Sequence, residues 1–262
     1  MLDLMEGKRG LVIGVANERS IAWGIAKVLA KHGAEVAITY QTESFEKRVR
    51  PLAESIGSKL VLPADVQNDE SLNKVFDSVS KNWGELDFLV HALAYSDKEE
   101  LVGNFINTSR ANFLNSLDIS CYSLIDLSRR ASQLMINGGS IATLTYMGSQ
   151  RVTPNYNVMG VAKAALESTV RYLANDLGSK QIRVNAISPG PMKTLAGAAI
   201  GGARNVYRTA ETNSPLKSNP SQDSVGGTAL YLLSDYGKHT TGEVIFVDGG
   251  FHVVGMPRIT NV

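Results

Sequence analysis

A tyrosine and a lysine, Tyr156 and Lys163, stand seven residues apart at the start of a predicted helix. At about 3.6 residues per turn, a step of seven returns to nearly the same direction, so both side chains are expected on one face. An ammonium group there favours negative charge near the phenol, and the phenol can donate a hydrogen bond to an oxyanion on a substrate. The alternative is a packed tyrosine and a solvated lysine, so the surrounding elements must decide.

The composition of the chain favours one large soluble α/β domain. Its 262 residues are 44% hydrophobic and carry a net charge of +1, which provides a sizeable core and no basic excess for nucleic acid. No apolar run reaches the about 20 residues that span a membrane, and residues 1–10 lack the apolar centre of a signal peptide. We therefore expect a single cytoplasmic domain over residues 1–262.

Cysteine and histidine indicate neither a disulfide nor a metal site. Cys121 is the only cysteine, so no internal disulfide can form, and its apolar surroundings favour a buried structural thiol. The histidines lack the spacing of metal ligands, so we expect no metal; they are His32, His91, His239 and His252.

Short β-branched segments alternate with helical patterns along the chain. This alternation predicts a seven-stranded parallel sheet flanked by helices, a doubly wound Rossmann-type fold that binds ligands at the carboxyl ends of its strands. The predicted strands are Gly10–Val15, Ala34–Tyr40, Lys59–Ala64, Leu86–His91, Ser140–Thr145, Arg183–Ser188 and Glu243–Val247.

The least regular stretch of the chain runs from Pro189 to Pro220 and is rich in Gly, Ala, Asn and Pro. It is too long for an ordinary connection between two elements. We therefore predict a substrate-binding lid at about residues 190–220.

The turn after the first predicted strand has the features of a pyrophosphate site. Gly14 allows a sharp turn, Ser20 can cap the next helix, and Gly24 permits close packing on the strand. The amide groups of the helix would then face the anion. The segment departs from the G-x-G-x-x-G pattern, so a plain connection between strand and helix stays open.

Two further strand ends fit the same dinucleotide. Gln41 follows the second strand, where a ribose-reading side chain belongs, and no acidic residue stands there to reject a 2′-phosphate. Asp65 and Val66 follow the third strand and can contact the adenine, although Asp65 is also a candidate cap for the next helix. After the fourth strand, residues 92–94 are small enough for close approach to a cofactor, whereas His91 is typical of a packed residue.

Four segments carry a resemblance to a known family: Gly14 to Gly24, Tyr146 to Lys163, Arg183 to Ala196 and Gly242 to Gly250. Over its whole length the chain resembles the short-chain dehydrogenase/reductase superfamily and, within it, the divergent branch of bacterial enoyl-acyl-carrier-protein reductases. Ordinary carbonyl reductases of that superfamily have Tyr-x3-Lys. Here Met159 stands in place of that tyrosine, and Tyr146 stands about where their serine would be.

The displaced tyrosine has a chemical meaning. Moving the phenol from position 159 to position 156 shifts its backbone by about 4.5 Å along the helix, away from Lys163. A more distant phenol suits conjugate reduction, in which hydride goes to the β-carbon of a trans-2-enoyl thioester while charge develops on the thioester oxygen. Tyr156 would donate a hydrogen bond to that oxygen, and the α-carbon proton would come from Tyr156 or from water.

The resemblance implies an NADH-dependent enoyl-acyl-carrier-protein reductase of fatty acid synthesis and the residues that serve it. Lys163 would hold the nicotinamide ribose, Tyr146 would support Tyr156, and Ser96 would lie near the acyl group. The implied cofactor contacts are Gly14, Ser20, Ile21, Gln41, Asp65, Val66, Leu93, Lys163, Met192, Lys193, Thr194, Leu195 and Ala196.

The resemblance also implies partners. The acyl group would arrive on an acidic acyl carrier protein, for which Arg204 and Arg208 beside the lid are candidate contacts, with a merely solvated pair as the alternative. Leu195, Ile200 and Val206 would line the acyl chain, and the family implies a homotetramer.

Two other functions and a second cofactor stay open. A 3-oxoacyl or carbonyl reductase is disfavoured by the missing Tyr-x3-Lys. A non-catalytic dinucleotide sensor would bind the cofactor but would need neither an acid nor a ribose-bound lysine. NADPH remains possible because Arg19, Lys47 or Arg48 could reach a 2′-phosphate.

Overall fold

The computed structural model describes residues 3–198 and 201–256. Its centre is a parallel sheet of seven strands in the order β3-β2-β1-β4-β5-β6-β7. Each predicted strand overlaps an observed one, so the predicted Rossmann-type fold is confirmed. The strands are β1 Arg9–Ile13, β2 Glu35–Tyr40, β3 Val61–Pro63, β4 Phe88–His91, β5 Gly139–Leu144, β6 Ile182–Pro189 and β7 Val244–Val247.

Helices alternate with the strands along the chain, as the crossovers between parallel strands require. A single π-helical turn, Asp118–Tyr122, joins the fourth helix to the fifth. In the described residues the α-helices are α1 Ile21–Lys31, α2 Glu43–Ser55, α3 Asp69–Trp83, α4 Arg110–Leu117, α5 Ser123–Leu134, α6 Asn157–Gly178, α7 Leu195–Ala198, α8 Ala203–Asn213 and α9 Gln222–Leu233.

Side chains alternate along each strand, so each face of the sheet has its own core. On one face, Val12 and Val90 pack with residues of α1 and α9. On the other face, Leu11 and Leu89 pack with residues of α3, α5 and α6. All four of these side chains are fully buried. Because helices cover both faces, the carboxyl edge of the sheet is left as the place where a ligand can meet several strands.

The turn after β1 brings the chain against the backbone that follows β4. Gly14 has a φ of +110°, and a Cβ atom there would lie 2.2 Å from the carbonyl oxygen of Ala92. Both the backbone conformation and the lack of space exclude a side chain. The predicted sharp turn at Gly14 is therefore confirmed.

Two details predicted for this turn are wrong. The hydroxyl of Ser20 makes no cap to α1; it accepts hydrogen bonds from the N–H groups of Ala16 and Asn17 at 3.0 and 3.1 Å and stabilises the turn before the helix. Gly24 faces a helix and not a strand, because an added Cβ atom would lie 2.5 Å from Cβ of Gln222 in α9. Sequence reasoning missed this contact because it joins helices from opposite ends of the chain.

The predicted lid, residues 190–220, is more regular than its composition indicates, since α7 and α8 both lie within it. The sequence carries a helical signal here that the composition obscured, because the apolar residues Ala203, Val206, Tyr207 and Ala210 recur at steps of three and four. Ile200, which we expected to line the acyl site, lies outside the described residues.

The described residues offer neither a membrane-spanning helix nor a metal cluster, and they bury the lone thiol. Within residues 3–198 and 201–256, no helix is long and apolar enough to cross a bilayer. In the same part of the chain, no three His, Cys, Asp or Glu side chains gather as metal ligands. Cys121 is buried, with its Sγ atom 3.4 Å from Oγ1 of Thr169, as expected of a structural thiol.

We expect Gly14→Ala to lower the free energy of unfolding by about 2 kcal/mol or more, because alanine there adopts a strained φ and meets the Ala92 carbonyl. Gly57→Ala is the matched control: Gly57 has a φ of +72° but nothing within 4 Å of an added Cβ atom. It should cost only about 1 kcal/mol. Urea unfolding of both variants measures the difference, and equal losses would contradict the role of the Ala92 contact.

Candidate active site

The predicted site residues lie along the carboxyl edge of the sheet. Parallel strands end together at this edge, so residues far apart in sequence become neighbours. The residues that follow β1 to β6 include, in that order, Gly14, Gln41, Asp65 with Val66, Leu93, Tyr146, and Met192 with its successors.

A cavity of about 1210 Å³ opens along this edge. It exceeds the volume typical for one small ligand, so it has room for a cofactor and a substrate together. Of the predicted residues, those that line it are Ile21, Ser96, Tyr146, Tyr156, Met192, Lys193, Thr194, Leu195, Arg204, Val206 and Arg208.

Other predicted contacts stand at the edge without lining the cavity. Ala196 lies in α7, and its side chain falls outside the described part of the structure. Among the described residues, the remaining predicted contacts that do not line the cavity are Gly14, Ser20, Gln41, Asp65, Val66, Leu93 and Lys163.

Asp65 does not cap α3, so that alternative is wrong. The N-cap residue is Asn68, whose side chain accepts a hydrogen bond from the N–H of Ser71 at 3.0 Å. Asp65 instead accepts from the N–H of Gln67 at 3.0 Å, in a local turn. Its carboxylate is thereby held at the end of β3, where the adenine contact was predicted.

Tyr156 lies immediately before α6 and not within it. It is the N-cap residue of that helix, with φ of −108° and ψ of −27°, and α6 begins at Asn157. The predicted position on the helix is therefore wrong by one residue. The Tyr156 side chain is buried and lines the cavity.

The ring of Tyr156 is held by a second tyrosine and by glycine. The ring centroids of Tyr146 and Tyr156 are 5.1 Å apart with an interplanar angle of 66°, an edge-to-face contact. A Cβ atom on Gly148 would lie 2.4 Å from Cδ1 of Tyr156, and one on Gly160 would lie 2.8 Å from the carbonyl oxygen of Gly148. Because neither glycine has a side chain, the phenol ring can pack directly against the backbone.

Burial makes both phenols weaker acids. It raises the pKa of Tyr146 to about 12, with a further contribution from the charge of Asp248. Burial also raises the pKa of Tyr156 strongly, and negative charge at Tyr146 and Glu167 adds to the shift. Both side chains therefore remain protonated at neutral pH and can donate hydrogen bonds into the cavity.

Lys163 is buried, so the alternative of a solvated lysine is wrong. Its Nζ atom donates to the carbonyl oxygens of Leu144 and Leu93 at 2.8 and 3.3 Å. Burial lowers the pKa of Lys163 to about 8, while negative charge at Cys121 and Glu167 opposes that shift. The group is thus a cation below about pH 8, at the ends of β4 and β5.

His91 is packed, as its sequence context predicted. Its ring nitrogens lie 2.8 Å from Oγ1 of Thr143 and 2.8 Å from Oγ of Ser123. Burial, followed by the charge of Lys163, lowers the pKa of His91 to about 3. The histidine is therefore neutral under physiological conditions.

Sequence reasoning missed the asparagines on either side of Tyr156. Asn155 and Asn157 both have positive φ, 59° and 37°. The Asn155 side-chain amide donates to the carbonyl oxygen of Gly201 in the lid at 2.7 Å, and that of Asn157 donates to Leu101 at 3.2 Å. The tyrosine is thus tied to two segments that border the cavity. The available signal was the tolerance of asparagine for left-handed backbone.

Comparison with known proteins identifies the family. A family model described as Enoyl-(Acyl carrier protein) reductase matches residues 14–252. The chain belongs to the enoyl-acyl-carrier-protein reductase family. This membership confirms the resemblance inferred from the four sequence segments.

Individual enoyl-acyl-carrier-protein reductases match this chain from end to end. One from Rickettsia felis, named an NADH enzyme, is 53% identical over 256 residues, 98% of each chain. One from Rhizobium meliloti, also named an NADH enzyme, is 54% identical over 259 residues, 99% of this chain and 97% of its own. The crystal structure of the Anaplasma phagocytophilum reductase in complex with NAD has a TM-score of 0.95 at 56% identity and covers 99% of both chains.

We expect Gly148→Ala to lower the turnover number of this reductase by about tenfold or more, because the new methyl group displaces the Tyr156 ring and small misplacements of a reacting group are costly. The control is Gly178→Ala near the end of α6, where nothing lies within 4 Å of an added Cβ atom. Steady-state oxidation of NADH with an enoyl thioester measures both variants. A Gly148→Ala enzyme as fast as Gly178→Ala would contradict the packing of the phenol.

Proposed function

We propose that this protein is an NADH-dependent enoyl-acyl-carrier-protein reductase that reduces trans-2-enoyl thioesters in fatty acid synthesis. The observation that carries the proposal is the position of its phenol. Tyr156 is a buried hydrogen-bond donor at the cavity, while the position of the tyrosine in ordinary carbonyl reductases holds Met159, whose thioether donates no proton. Family membership over nearly the whole chain supports the same reaction.

The cavity suits a dinucleotide at its β1 side. The N-terminus of α1 has no side-chain cap, and Ile21 in its first turn lines the cavity. Free amide groups at a helix N-terminus bind pyrophosphate well. We propose as cofactor contacts the residues that the family resemblance implies, which are Gly14, Ser20, Ile21, Gln41, Asp65, Val66, Leu93, Lys163, Met192, Lys193, Thr194, Leu195 and Ala196.

The protein's part in the reaction is to stabilise the negative charge that develops on the substrate oxygen. Bound NADH supplies a hydride to the β-carbon of the enoyl thioester. Tyr156 donates a hydrogen bond to the thioester oxygen as negative charge develops there, which stabilises the transition state. Lys163 adds positive charge and binds the nicotinamide ribose, while the ring of Tyr146 fixes the Tyr156 ring. The α-carbon then takes its proton from Tyr156 or from water.

The acyl group and its carrier would meet the cavity at the lid, residues 190–220. Ser96 lines the cavity and exchanges hydrogen bonds with Asn112, which supports a place beside the acyl group. The apolar chain would lie against Leu195 and Val206. Arg204 and Arg208 are exposed at the cavity mouth, where an acidic carrier protein could contact them.

The proposal extends to the assembly and setting of the enzyme. We take residues 1–262 as one domain, in a cytoplasmic protein that forms a homotetramer. Exposed apolar side chains on α4 to α6 support self-association, because subunit contacts would cover them. Leu114 is 58% exposed, Tyr122 55% and Tyr172 72%.

A 3-oxoacyl or carbonyl reductase and a dinucleotide sensor are the competing functions. The first requires a proton donor where Met159 lies. A dinucleotide sensor does not explain why Tyr156 and Lys163 are buried at the site. Burying a charged group is costly, and a sensor does not need such a group. Gln41 is exposed at the end of β2 and carries no negative charge to repel a 2′-phosphate. Each assay is therefore run with NADPH as well as with NADH.

Tyr156→Phe should lower the turnover number by about 10²-fold or more, the usual cost of removing one donor to an oxyanion. Tyr172→Phe is the matched control, because Tyr172 lies on α6, the helix that Tyr156 precedes, but is 72% exposed. The measurement is oxidation of NADH, and separately NADPH, with a trans-2-enoyl thioester and with a 3-oxoacyl thioester. Reduction of only the 3-oxoacyl compound would sink the proposal, and cofactor binding without any turnover would favour the sensor.

Asn155→Gly should raise KM for a long-chain enoyl thioester by about fivefold, because it removes one hydrogen bond of about 1 kcal/mol to the lid and glycine keeps the left-handed backbone without strain. NADH affinity should change little. The control is Asn137→Ala, which removes an exposed asparagine bonded to Glu85 at 3.2 Å, away from the cavity. If both variants have the wild-type KM, Asn155 does not hold the lid.

A further inference from the structure

A buried carboxylate stands behind the cavity on the same helix as Lys163. Glu167 follows Lys163 by one turn of α6, is 5% exposed and does not line the cavity. Burial of a charged group is costly unless other groups compensate it. A carboxylate retained at such a position therefore needs partners, and its partners indicate its role.

The hydrogen-bond partners of Glu167 all belong to one segment between β5 and α6. Thr145 donates its hydroxyl to Oε1 of Glu167 at 2.7 Å, and the hydroxyl of Ser149 donates to the same oxygen. Gln150 donates its side-chain amide to Oε2 at 3.3 Å. The bonded segment carries Tyr146 between its ends. Glu167 thus anchors the backbone that presents the supporting tyrosine.

The charged and titratable groups around Lys163 come from three elements. His91 lies at the end of β4 and is neutral, because burial and the lysine's own charge hold its pKa at about 3. Cys121 lies on the π-helical turn, and Glu167 lies one turn beyond Lys163 on α6; negative charge on either favours the ammonium form. The Cys121 group is a thiol and the His91 ring is neutral. Among these groups of the described residues, the carboxylate is therefore that of Glu167.

We propose that Glu167 is a positioning residue of the active site, which anchors the segment that carries Tyr146 and balances the buried ammonium of Lys163 with its carboxylate. The assignment deepens the proposed function, since it rests on Lys163 as the residue that binds the nicotinamide ribose. Glu167 acts through these two residues, since its carboxylate oxygens are occupied by Thr145, Ser149 and Gln150.

The test is the pH dependence of NADH binding, followed by cofactor fluorescence without any acyl substrate. Wild-type affinity should fall as pH rises through about 8, where Lys163 loses its proton. Glu167→Gln nearly keeps the side-chain shape but removes the negative charge that raises the lysine pKa. Its loss of affinity should therefore begin about one pH unit lower, the size of effect that a nearby opposite charge exerts.

Two variants separate charge from hydrogen bonding. Gln150→Ala removes one donor to Glu167 and leaves the carboxylate, so its binding profile should match that of the wild type. Glu167→Asp keeps the charge and shortens the reach, so its profile should also stay in place while its turnover number falls. If thermal melting shows that Glu167→Gln does not fold, Glu167→Asp gives the test: a wild-type turnover number there would overturn the anchoring role.

The outcomes distinguish this inference from the proposed function. An unshifted profile in Glu167→Gln, or a profile that moves when only the hydrogen bonds change, would overturn the role of Glu167. Absence of enoyl-dependent turnover in the wild type would overturn the proposed reaction but would leave the NADH-binding comparison intact.

Discussion

The buried ammonium group of Lys163 is the constraint on which the site depends. A cation withdrawn from water needs polar partners, and it finds them in the carbonyl oxygens of Leu93 and Leu144, just after β4 and at the end of β5. Those carbonyls are adjacent because the two strands pair in parallel, with His91 opposite Thr143. The register of the sheet thus determines where the positive charge of the active site lies.

Glycine and aromatic packing then position the acid. Tyr156 is held by the edge-to-face contact with Tyr146 and by the space that Gly148 leaves. Burial raises the pKa of its phenol, so the group donates a hydrogen bond and does not ionise beside the lysine. A protonated phenol and a nearby cation together suit a substrate oxygen that gains negative charge, which links the packing of the site to conjugate reduction.

Much of this arrangement was predictable from local sequence. Alternating β-branched and helical segments predicted the seven strands, and the types of Tyr156, Lys163 and Gly14 indicated a reductase site before any contact was known. The roles expected for Ser20 and Gly24 were wrong, because a hydroxyl can bond backward into its own turn and a glycine can face a helix distant in sequence. Helix α8 was missed because the Gly, Asn and Pro content of residues 189–220 was read as irregular, although Val206, Tyr207 and Ala210 follow helical spacing.

The amino-acid sequence was enough to predict the family, the parallel sheet and the candidate acid and cation, since each depends on periodicity or on residue types at short spacing. The partners of those groups depend on tertiary contacts. Glu167 bonds to the segment that carries Tyr146, and Asn155 bonds to Gly201 in the predicted lid; no local pattern relates the residues that these bonds join. Burial of Lys163, which sets its pKa near 8, likewise arises from the packing of several elements around one side chain.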